Sequence, residues 1–78
     1  MLHQRLLTEK DLPALAKHYR KKAGKARTQV GRELGVSHVS IFRAEEKPEE
    51  SLLKLRLRMI EACSEFKVRG PVYLLEKK

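Results

Sequence analysis

The sequence predicts a mainly α domain of four short helices, with a small β-sheet formed by its N- and C-terminal segments. Strong helix formers with apolar residues at i, i+3, i+4 spacing fill most of the chain. Gly24, Gly35, Pro48 and Gly70-Pro71 punctuate it into five pieces. Past Phe66 the composition shifts to Val68, Val72 and Tyr73, residues that favour extended chain. A chain of 78 residues can enclose one thin core, so a single domain over residues 1–78 is expected.

Taken in order, residues 2–7 alternate in part and read as an edge strand or an arm. Thr8 followed three residues later by Asp11 resembles a capping box, and Pro13 fits only a first helical turn, so the first helix starts there. Leu12, Leu15, Ala16, Tyr19 and Ala23 form its apolar face, Lys17, Arg20, Lys21 and Lys22 point elsewhere, and Gly24 ends it. A second helix of about two turns spans Gln29 to Leu34 and buries Val30 and Leu34. Gly35 supplies its left-handed ending, and Ser37 caps a third helix running to about Glu46.

Pro48, Glu49 and Glu50 read as the first turn of a fourth helix. The segment that follows fits two periods. Leu53, Leu55, Leu57 and Met59 alternate as in a strand, whereas Leu52, Leu55, Met59, Ala62, Cys63 and Phe66 fit one helical face. Near-absence of β-branched residues favours the helix. Residues 66–76 are expected to turn at Gly70-Pro71 and form a small terminal sheet with residues 3–7.

Eighteen Lys and Arg against ten Asp and Glu give a net charge of +8, which attracts polyanions and places nucleic acid first among partners. With no Trp, no long apolar run and no apolar leader, neither a membrane nor export is expected, and the lone Cys63 suits a reducing cytoplasm as a core thiol. His3, His18 and His38 lack metal-ligand spacing with one another or with Cys63, so no metal is expected. Ser37, Ser40 and Ser64 have no nucleophile context, and Glu45 with Glu46 reads as a solvated helix end rather than a catalytic pair. The expectation is therefore a protein that is not an enzyme, with no cofactor and no small-molecule substrate.

The informative stretch is Arg27-Thr28-Gln29-Val30-Gly31-Arg32-Glu33-Leu34-Gly35-Val36-Ser37-His38-Val39-Ser40-Ile41-Phe42-Arg43-Ala44. It resembles the helix-turn-helix of lambda Cro and XRE-type repressors over about twenty residues, with the flanking helices matching in outline. The resemblance implies a four-helix lambda-repressor-like fold. Each position also has a mechanical reason: Gly31 lets two helices cross closely, Gly35 permits the turn, Val30, Leu34, Val36 and Ile41 lock the pair, and Ala44 keeps the inner face small.

Stepping the third helix at about 100° per residue puts Ser37, Ser40, Ile41 and Ala44 on its packing side and His38, Val39, Phe42 and Arg43 on the other. In a major groove, Arg43 can make a bidentate contact to guanine, while Val39 or Phe42 can meet a thymine methyl. The resemblance implies base contacts from Ser37, His38, Val39 and Arg43, and phosphate contacts from Thr28 and Gln29. Two positions depart from the family. Arg27 stands where Gln is usual and would grip phosphate as a plain charge. Phe42 is an outward aromatic, covered either by DNA or a partner, or else buried by the fourth helix or by the tilt of its own.

The dense cations Lys17, Arg20, Lys21, Lys22, Lys25 and Arg27 are expected to touch phosphates, with a solubility role as the alternative. The function that follows is sequence-specific binding of double-stranded DNA as a transcriptional regulator of the Cro/repressor type. A homodimer spanning two half-sites is expected, its interface drawn from the surplus of Leu52, Leu53, Leu55, Leu57, Met59 and Ile60 or from the Val72–Leu75 strand. The competing class is a protein-interaction module, such as an antitoxin-like partner of an acidic protein; RNA binding would want more aromatics than four.

Overall fold

The computed structural model describes residues 6–69 and 73–78. Four helices, α1 (Leu12–Lys22), α2 (Arg27–Leu34), α3 (His38–Glu46) and α4 (Leu53–Cys63), are flanked by strands β1 (Leu6–Leu7), β2 (Phe66–Arg69) and β3 (Tyr73–Lys77). The domain is mainly α with a small sheet, as the sequence predicts. The turn expected at Gly70-Pro71 and the start of the N-terminal arm lie outside the described residues.

A 3₁₀ turn over Glu9–Asp11 leads into α1, and the Thr8 N–H donates to the Asp11 carboxylate at 2.9 Å, the backward half of a capping box. Pro13 sits in the first turn, where it removes no helical bond. Leu12 and Ala16 are fully buried, but Ala23 lies past the helix end and is exposed, so the apolar face stops one turn earlier than the periodicity suggested. Gly24, at φ +72°, turns the chain in the left-handed region.

The sheet is antiparallel with β3 between β1 and β2; Leu6 pairs with Leu74 and Val68 with Leu75. It closes over the helices through Leu7 and Val68, which join Leu12, Ala16, Val30, Ile41, Ala44, Met59, Ile60 and Cys63 in one core. Because β3 is central, its main chain is engaged on both sides at Leu74, so a dimer built by adding a strand to β3 there is not open to it.

The fourth helix differs from expectation at its start and on its inner face. Pro48 to Glu50 form a turn, and α4 begins only at Leu53. The cause is Arg56, which is not among the residues expected on the inner face: it is almost fully buried and donates to the carbonyls of Ala44 (2.9 Å), Lys47 (2.8 Å) and Glu50 (2.9 Å). The Glu50 carbonyl also takes the Leu52 N–H, so it cannot serve a helix starting at Pro48. Burying a guanidinium without a carboxylate is offset here because Ala44 and Lys47 present carbonyls at the negative end of α3. The inner face of α4 is therefore Arg56, Met59, Ile60 and Cys63, with Leu52, Leu53, Leu55 and Leu57 only half-buried against the core and Phe66 already in β2.

Candidate nucleic-acid interface

The α2–α3 pair owes its geometry to two glycines with different duties. At Gly31 a Cβ would stand 2.7 Å from the Val36 carbonyl oxygen and 3.3 Å from the His38 nitrogen, so only glycine lets the start of α3 lie this close to α2. At Gly35, φ is +73° with open space around the Cα, so the requirement there is conformational. The Val36 N–H closes the end of α2 on the Gly31 carbonyl at 2.8 Å, a Schellman-type ending, and the exposed Arg58 side chain donates to the Leu34 carbonyl at 2.8 Å. Ser37 caps α3 by accepting the Ser40 N–H at 3.1 Å.

With Ile41 and Ala44 fully buried, the opposite face of α3 presents His38, Val39, Phe42 and Arg43 to solvent. Val39 (50% exposed) and Phe42 (41%) are the large hydrophobic side chains exposed among the described residues, and both stand on this one face. Phe42 is thus outside the core. Its ring lies beneath the Arg27 guanidinium, 5.1 Å from centroid to carbon, a cation–π contact that covers part of the ring. Ser37 is exposed at the N-terminal edge of the same face, with its hydroxyl engaged in the cap and near the Ser40 hydroxyl (3.1 Å).

Of the two acids read as a solvated helix end, Glu46 is exposed and Glu45 is not. Glu45 follows Ala44 on the inner face, its side chain wholly buried, and takes Arg20 Nε at 2.5 Å and Nη2 at 3.1 Å in a bidentate pair. Arg20 is buried as well and gives its remaining arm to the Lys25 carbonyl at 2.9 Å, so it belongs to the α1–α3 contact and not to a phosphate-binding surface. Arg27 donates to Glu45 at 3.0 Å and to Glu46 at 3.4 Å, while Lys17 reaches Glu46 at 2.6 Å. The hydrogen bond from Lys17 is the main reason the Glu46 carboxyl is held below its ordinary range.

No protein-family model, curated protein or solved structure matches the chain.

The cations expected at phosphates therefore separate. Arg27 stays one-third exposed at the start of α2, but Glu45 and Glu46 already share its charge. Lys25 turns towards α4, approaching the Ala62 carbonyl at 3.4 Å and pairing with Glu33 at 2.9 Å; the hydrogen bond to Glu33 raises the Lys25 pKa and lowers that of Glu33. Lys22 lies about 140° around α1 from Lys17, beside Tyr19, Cys63 and Phe66 in an open cleft of about 350 Å³. Lys21 is exposed and only about 40° from Lys17, the flank of α1 next to α3. Thr28 and Gln29 are exposed in the first turn of α2, which no side chain caps, and Gln29 leans on Glu33 at 3.2 Å.

The sequence reading missed Glu50, whose carboxylate grips the exposed Arg43: Nε to Oε2 at 3.2 Å and Nη2 to Oε1 at 3.1 Å. Seven residues apart and across a helix end, the pair has no periodic signal. The buried Glu45 did leave one, since Ile41, Ala44 and Glu45 share the i, i+3, i+4 stripe. Among the described residues no group of His, Cys, Asp or Glu is arranged to hold a metal, and no helix is long and apolar enough to cross a membrane.

Proposed function

We propose that the chain is a cytoplasmic, sequence-specific binder of double-stranded DNA, a transcriptional regulator of the Cro and XRE-type repressor class that acts without enzymatic chemistry. One observation carries this reading: α3 lies across α2 on a glycine contact and holds His38, Val39, Phe42 and Arg43 outward together. A major groove admits one helix, and this set matches what base edges offer. Arg43 has the fork for guanine O6 and N7, His38 a ring nitrogen for either donor or acceptor, and Val39 and Phe42 apolar surface for a thymine methyl. Ser37 at the leading edge reaches a base or a sugar–phosphate oxygen. Lys21, Thr28 and Gln29 face outward beside or ahead of α3 and position the backbone, with Arg27 as a weaker contact because its charge is shared.

Two copies would cover half-sites about 34 Å apart. The half-buried Leu53, Leu55 and Leu57 of α4 are the surface for that contact.

Selection of duplexes from a randomised library, followed by titration of the recovered duplex at several salt concentrations, tests the proposal. Recovery of a palindrome, with affinity falling steeply as salt rises, is expected. Arg43→Ala should relax one base position by about 1–3 kcal/mol, whereas Lys21→Ala should weaken all duplexes alike. A library that yields no preferred sequence would overturn the specific reading.

The exposure of Val39 and Phe42 favours a second reading, in which the same basic, apolar face docks on an acidic protein. Phe42→Ala separates them: it should alter the selected sequence for a DNA binder and leave DNA retention unchanged for a protein-binding module.

A further inference from the structure

The Arg43–Glu50 pair uses one particular edge of the guanidinium. Glu50 takes Nε and Nη2, the side-on edge, at 3.2 and 3.1 Å. Arginine carries five N–H donors, so the end-on edge, Nη1 with the second Nη2 hydrogen, remains unused by this contact. That end-on edge is a fork of the kind that matches guanine O6 and N7.

Glu50 is itself held by the main chain. Its N–H donates to the Lys47 carbonyl at 3.0 Å, and its carbonyl accepts from buried Arg56 at 2.9 Å and from the Leu52 N–H at 3.0 Å. Arg56 also fixes the Lys47 and Ala44 carbonyls, which ties the 47–50 turn rigidly to the end of α3. The carboxylate is therefore presented by an anchored turn, and the anchor involves none of its own side-chain atoms.

We propose that Glu50 is a positioning residue that sets base specificity: it clasps the side edge of Arg43 and holds the end-on fork ready for a guanine. This rests on the DNA-binding reading above. A free arginine near a duplex can swing to phosphates or to other base edges; a clasped one does so less often. Glu50 also places a negative charge close to a polyanion, so it lowers affinity for every duplex while sharpening the choice among them.

The test uses the full chain, the duplex it recovers from a randomised library, single-base variants of that duplex and a scrambled duplex. Arg43→Ala first identifies the base pair that Arg43 reads. Glu50→Ala should then reduce discrimination at that base pair by about two- to tenfold, the cost of ordering one arginine, and should tighten binding to the scrambled duplex. Glu50→Gln, which keeps one acceptor oxygen, should fall between wild type and Glu50→Ala. Thermal melts should agree among the three, because the turn is anchored through main-chain atoms. In ¹⁵N NMR of the free protein, the Arg43 Nε–H signal should be protected in wild type and lose protection in Glu50→Ala.

If Glu50→Ala keeps full discrimination, or weakens all duplexes alike, the positioning role is overturned while DNA binding stands. If Arg43→Ala relaxes no position, Arg43 reads no base and the role falls with it. A wild-type chain that recovers no sequence overturns the DNA reading itself.

Discussion

Glu45 and Arg20 are 25 positions apart and meet in the interior, a juxtaposition that no local pattern announces. Burying two opposite charges costs several kcal/mol per ion before their attraction and hydrogen bonds return it, so removing one partner is far worse than removing both. Glu45→Ala should destabilise the domain by about 3–5 kcal/mol, read as a lowered midpoint in urea unfolding. Arg20→Met paired with Glu45→Leu should recover much of that loss. These two residues also mark where sequence reasoning stopped. The exposure of His38, Val39 and Arg43 follows from helical period, and the structure agrees; for Phe42 the sequence left burial open, and the structure puts the ring outside the core. The burial of Glu45 follows from the stripe it shares with Ile41 and Ala44, but its partner, like those of Arg20 and Arg56, is set by which charge or carbonyl comes to meet it in the folded neighbourhood.

At the scale of elements, the α2–α3 crossing was legible because glycine at two fixed places and a Ser cap are requirements of backbone geometry. The two glycines predict different penalties. Gly31→Ala drives a Cβ against main-chain atoms of the turn, so it should cost about 1–3 kcal/mol and displace α3, weakening the proposed DNA binding beyond the loss of stability. Gly35→Ala meets nothing, and should cost only the left-handed strain of about 1–2 kcal/mol, with the binding face intact. Thermal melts and duplex titrations of both variants check the contrast. The start of α4 was misread because Pro48 with two acids is a good helix opening in isolation; the competing demand came from Arg56, which requires those carbonyls for itself.

For the molecule as a whole, the net charge of +8 is an incomplete guide to its binding surface. Several cations answer to carboxylates, Lys17 and Arg27 to Glu46 and Lys25 to Glu33, and this has a signature in pH. Glu33 and Glu46 are held below their ordinary range by hydrogen bonds from Lys25 and Lys17. A carboxyl depressed by folding gives stability that is present above its unfolded pKa and lost as pH falls through its folded one. Acid titration of Glu33→Gln with Glu46→Gln should therefore show a shallower loss of stability below the ordinary carboxylate range than wild type shows. Raised Lys25 acts at the other end, its contribution fading only as pH climbs past the ordinary lysine range.

The Leu6–Leu74 pairing joins positions close to opposite ends of the described chain. Leu6 and Leu7 therefore have no strand partner until Tyr73–Lys77 is available, so β1 can join the sheet only when nearly the whole described chain is present. A chain cut after α4 would lack the cover that Val68 and the strand partner of Leu7 bring to the apolar floor of the helices.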